Sequence, residues 1–149
     1  MPEVVLAQAE ADALLAMEKH RTDDTLYRYP PRGEFIKVPL ISPDKREHFI
    51  LDVGVYGSIA LKVTHQNRAR SVVILVRLDI GGAPHRNPDG KTVPCPHLHV
   101  YREGYDDKWA FPVDAVNSPD VSDLSQTLDD FLRYCNVTKP PLLQNRLLA

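Results

Sequence analysis

The stretch HFILDVGVYGSIALKVTHQ, residues 48–66, decides the fold. Phe49, Leu51, Val53 and Val55 recur at every second position, and Ile59, Leu61 and Val63 do so again. A period of two puts each set on one face of a strand. Tyr56-Gly57-Ser58 lies between the two sets, so the stretch reads as an antiparallel hairpin. Outward from it, Glu34 to Leu40 reads as a short strand. Ser71-Val72-Val73-Ile74-Leu75-Val76 is apolar on both faces, as a central strand would be.

The flanks change period. Leu6, Ala9, Ala13, Leu14 and Met17 recur at helical spacing, which predicts a helix over residues 3–20. A connector over 26–32 follows, because Pro30-Pro31 cannot sit inside a helix. Ser118-Pro119-Asp120 predicts the start of a second helix, with Ser118 as N-cap. Its apolar stripe is Val121, Leu124, Leu128, Phe131, Leu132 and Cys135, and Pro140-Pro141 stops it. The tail LLQNRLLA reads as one more turn or a partner contact. The fold class is therefore α+β: one domain over residues 1–149, an antiparallel sheet flanked by an N-terminal and a C-terminal helix.

Composition narrows the function classes. A chain of 149 residues, 43% hydrophobic and 26% charged, suits one soluble globular domain. It has no run of about 18 apolar residues, so no membrane partner is expected. The N-terminus carries acids early and has no basic segment, which speaks against a signal peptide. Cys95 and Cys135 lack metal-type spacing, and a reduced, cytoplasmic protein is expected. The net charge of −2 excludes a uniformly basic nucleic-acid binder. The distribution is uneven, however. Lys62, Arg68, Arg70 and Arg77 are unopposed between Asp52 and Asp79, whereas Asp114, Asp120, Asp123, Asp129 and Asp130 lie together without a base.

Candidate chemistry concentrates in PHLHVYREGYDDKW, residues 96–109. Strand alternation puts Leu98 and Val100 on a core face and His97, His99 and Tyr101 on an opposite, wetter one. In the preceding strand Val76 and Leu78 alternate with Arg77 and Asp79, so pairing the two strands would bring Arg77 and Asp79 to the histidines. The sixteen residues between them, GGAPHRNPDGKTVPCP, form a long loop with His85 and Arg86 beside the turn signal Asn87-Pro88-Asp89-Gly90. Imidazoles titrate near neutral pH, and guanidinium or ammonium groups hold phosphate. Hence His97 and His99 are the acid/base candidates, with Tyr101 as positioner. Arg77, His85, Arg86, Arg102 and Lys108 are the substrate contacts. Tyr105 and Trp109 would stack a base or anchor the core, the latter being commoner for such a tryptophan.

The expected function is a small nucleic-acid-directed protein, a metal-independent endoribonuclease of the toxin kind. The alternative is a non-enzymatic binding protein of a defence or toxin–antitoxin system that holds a nucleotide or a cognate partner protein. His97 and His99 with His85 or Asp79 would make a three-ligand metal site. A lone H-x-H falls short of the four ligands of a closed zinc site, so no metal and no other cofactor is expected. Histidines that are merely half-buried and hydrogen-bonded are the competing structural reading. Motifs for phosphate loops, dinucleotides, serine hydrolases and zinc peptidases are missing from the sequence.

The run from Thr64 to Val113, with its N-P-D-G and P-H-L-H-x-Y-R-E-G-Y-x-D-K-W motifs, resembles a family of small, uncharacterised bacterial proteins associated with mobile elements. That resemblance implies a fold unit and a mobile-element setting. It implies no activity and assigns no catalytic residue.

Overall fold

The computed structural model describes residues 5–113 and 123–144. Its elements run α1 (Gln8–Ala16), β1 (Lys19–Arg21), β2 (Leu26–Tyr27), β3 (Glu34–Ile41), β4 (His48–Tyr56), β5 (Lys62–Ala69), β6 (Val73–Ile80), β7 (His85–Arg86), β8 (Thr92–Val93), β9 (His97–Val100), β10 (Ala110–Pro112), α2 (Leu124–Tyr134), β11 (Val137–Lys139) and β12 (Leu142–Leu143). Eight strands form one sheet in the order β10-β9-β6-β5-β4-β3-β1-β11. Every pair in it is antiparallel except β1 with β11. The fold is the α+β arrangement the periodicities predict, with a helix near each end of the chain.

The hairpin of residues 48–66 is β4 and β5, in register from Phe49↔Ala69 to Tyr56↔Lys62. Its apolar face carries Phe49, Leu51, Val53, Val55 and Val63, all buried, and extends through Val76, Leu78 and Ile80 of β6. Leu14 of α1 and Leu128, Phe131 and Leu132 of α2 join the same core cluster. Burying each large side chain is worth about 1.5–3 kcal/mol, so this face dominates the stability. The turn runs longer than the alternation suggests. Ile59 is 96% exposed, and β5 starts only at Lys62.

Both helices are shorter than their sequence patterns. Helix α1 begins at Gln8 because the preceding Leu6 is committed elsewhere: its N–H donates to Tyr101 Oη (3.0 Å) and its carbonyl accepts from the same hydroxyl (2.7 Å). Past Ala16 the chain turns into β1, a strand inside the span predicted as helix. Helix α2 is capped by Asp123, which accepts from Gln126 N–H. The predicted N-cap, Ser118, lies outside the described residues. The tail is extended rather than helical where described, Leu142 and Leu143 pairing in parallel with β2.

Lys19 joins the two ends. Its fully buried ammonium donates to the carbonyls of Leu15 (2.8 Å), Met17 (2.8 Å) and Cys135 (2.7 Å), over the ring of Phe49. Burial lowers its pKa to about 8, and the three carbonyls use all three of its donors. No helix among the described residues is long and apolar enough to cross a membrane.

Candidate functional site

The second face of the sheet is polar, and its cross-strand rows assemble the site. One row runs Asp52–Gln66–Arg77–His99, the next Thr64–Asp79–His97. The period-two argument thus places Arg77 opposite His99 and Asp79 opposite His97, as expected if β6 and β9 pair. Leu98 and Val100 pack from the other side against the core, half-buried.

The face is not wet at the histidines. His97 is 2% and His99 1% exposed. The cover comes from the long loop and the acidic turn. Asn87 uses its side-chain amide as a strand would use its backbone, donating to Ala110 O (2.9 Å) and accepting from Ala110 N–H (2.8 Å). This staples the N-P-D-G turn to β10. It leaves the ring of His85 4.6 Å from that of His99 and 5.9 Å from that of His97, with Nε2 donating to Lys108 O (2.7 Å). The three imidazoles converge, and His85 alone of them is half-exposed.

Hydrogen bonds fix the buried pair. His99 Nδ1 donates to Asp107 O (2.7 Å) and His97 Nδ1 approaches Pro94 O (3.3 Å). Both Nε2 atoms then face one carboxylate oxygen, Asp79 Oδ2, at 3.2 Å from His99 and 3.4 Å from His97. The other oxygen, Oδ1, accepts from Arg77 Nε (3.1 Å) and Thr64 Oγ1 (3.2 Å). Burial alone would raise the Asp79 carboxyl. The close approach of His99 and the Arg77 and histidine charges outweigh it and hold the group below its usual range. Burial and the neighbouring His99 push His97 down, against the pull of Asp79. Cys95 Sγ lies 3.6 Å from His97 Nδ1.

Several expected contacts sit elsewhere. Arg77 is engaged at all three nitrogens: Nε on Asp79, Nη1 on Asp107 Oδ2 (2.6 Å), and Nη2 3.1 Å from His99 Nε2. Tyr101 is not beside the histidines, because its hydroxyl is taken by Leu6. Arg102 stacks on Trp109, its guanidinium carbon 4.6 Å from the ring centroid, with Tyr105 edge-on to the indole. Arg86 and Lys108 are exposed. Asp107 and Cys95 escaped the sequence reading. The paired acids of the 104–107 turn were a visible signal for the first, whereas the second showed none. Grooves of about 460 and 400 Å³ lie along α2, lined by residues such as Leu132 and Phe131 and by none of the clustered histidines.

No curated protein and no solved structure matches the chain. A family model does, over residues 6–137, which takes in every element from α1 to α2 and all the site residues above. The chain belongs to DUF6978, a family of unknown function.

Proposed function

We propose that the polar face acts on RNA, as an endoribonuclease of the toxin kind. His85 is the imidazole that meets substrate, and the Asp79–His97–His99 cluster sets the charge beneath it. The carrying observation is the stack itself: a half-exposed ring 4.6 Å from a buried one that a carboxylate and a backbone carbonyl hold in place. Transesterification at a phosphodiester needs one group to take the 2′-hydroxyl proton and another to protonate the leaving oxygen, each worth about 10²–10⁴-fold. Because His97 and His99 are buried, the first contact falls to His85. Arg86 and Lys108 are exposed beside it for the phosphate. Arg77 is an anchor for Asp79 and His99 rather than a phosphate ligand. From Arg77 to Trp109 five acids balance five bases, so binding should lose little affinity with added salt. A bacterial, mobile-element setting and a cytoplasmic location belong to the same proposal.

The test incubates the purified chain with mixed RNA. Wild type should cleave, His85→Ala and His99→Ala should lose at least a hundredfold (about the lower bound for one proton transfer), and His48→Ala should match wild type. RNA left intact by wild type ends this reading. A non-enzymatic binding protein of a toxin–antitoxin or defence system then takes its place, which the commitment of Arg77 to Asp79 and Asp107 favours. A binder of that kind keeps its ligand in His85→Ala.

A further inference from the structure

The two histidine contacts of Asp79 Oδ2 are long for what they would be as hydrogen bonds. A charge-assisted N–H···O bond measures about 2.7–2.9 Å, whereas these are 3.2 and 3.4 Å. Ligands on one tetrahedral zinc, at bonds of about 2.0–2.1 Å, sit about 3.3–3.4 Å apart. The spacing is therefore that of donors around a shared ion. Both Nδ1 atoms face backbone carbonyls, which orients the Nε2 lone pairs inward. Arg77 Nε and Thr64 hold the other carboxylate oxygen, and Arg77 Nε reaches Oδ2 at the longer distance of 3.3 Å, so the ion meets one weak competitor there. Outer partners of this type are what orient histidine and carboxylate ligands at metal centres.

We propose that Asp79, His97 and His99 bind one divalent transition-metal ion of the zinc class, with a fourth position left for water. The donor set, two imidazoles and one carboxylate, suits zinc, cobalt or iron; magnesium and calcium require oxygen ligands almost throughout. One oxygen and two nitrogen atoms already lie within 4.8 Å of one another, so a small swing of the rings closes the site. The ion must displace two contacts, that of Arg77 Nη2 with His99 and the longer branch of Arg77 Nε on Asp79 Oδ2, while Arg77 keeps its bonds to Asp79 Oδ1 and Asp107. With His97 and His99 as ligands, the half-exposed His85 remains the imidazole free to move a proton, which deepens the reading above and rests on the same cluster.

The test uses no RNA, so either proposal can fail alone. The full chain is stripped with a chelator and titrated with Co²⁺, followed by visible absorption, then challenged with Zn²⁺. Wild type should bind one equivalent with a tetrahedral spectrum and release it to zinc. Asp79→Asn, nearly isosteric, should weaken binding at least tenfold while keeping the metal-free melting temperature close to wild type, and His97→Ala should do the same or worse. His20→Ala and His48→Ala, remote from the cluster, should bind like wild type. A wild-type chain that takes up no stoichiometric cobalt overturns the proposal. So does one equivalent retained at unchanged affinity in both Asp79→Asn and His97→Ala.

Discussion

The same sheet buries imidazoles on both faces, and the two burials differ in kind. On the apolar face His65 is fully buried between the rings of Tyr29 and Phe131. Its Nε2 meets the Tyr29 hydroxyl at 2.8 Å, and its Nδ1 has no partner among the described residues. Burial pushes its pKa down to about 3. On the polar face His97 and His99 are as deeply buried, yet every ring nitrogen is directed at a carbonyl, a carboxylate or a guanidinium. Burial alone therefore does not mark a site. What sets the polar-face pair apart is that both Nε2 atoms face one carboxylate oxygen.

The contrast is breakable by experiment. His65→Ala should cost the most stability, about 2–4 kcal/mol, since it opens a core cavity and orphans the Tyr29 hydroxyl. RNA cleavage and cobalt binding per folded molecule should not change. Urea unfolding alongside either assay measures both, and loss of cobalt binding in this variant would erase the distinction. A smaller effect is acid sensitivity. The folded chain binds a proton at His65 less readily than the unfolded chain, whose histidine titrates near 6.5. Stability is thus complete above pH 6.5 and falls as pH drops toward 3, by about 2 kcal/mol at pH 5 from this residue alone. Burial lowers His97 too, in the same direction. Urea midpoints from pH 7.5 to 5 should slope in wild type and flatten in His65→Leu; an unchanged slope would put the sensitivity on the polar face. The smallest effect is Tyr29→Phe, about 1–2 kcal/mol for one buried hydrogen bond left half-made, readable as a thermal shift.

How much of this was legible follows from where each contact originates. The hairpin and the pairing of Arg77 and Asp79 with the histidines come from alternation, a local signal with a period of two, and both are found in the structure. The dryness of His97 and His99 was hidden, because it depends on Asn87 docking onto Ala110 from a loop whose path no periodicity encodes. Tyr101 shares the parity of the histidines in sequence. It leaves them in space because β9 ends at Val100 and a bond to Leu6, 95 residues away, claims its hydroxyl. That same bond delays the start of α1 to Gln8. Long-range hydrogen bonds overrode local preference in each case.

Lys19 has a consequence for how the chain is made. Its third carbonyl partner, Cys135, lies 116 residues later, and β1 has β11 as its neighbour on that side. A chain synthesised from its N-terminus holds Lys19 hydrated, and β1 unpaired along that side, until β11 has emerged. Completion of the sheet thus waits on a segment more than a hundred residues downstream, and this ammonium dehydrates only when α2 and the Cys135 carbonyl at its end arrive.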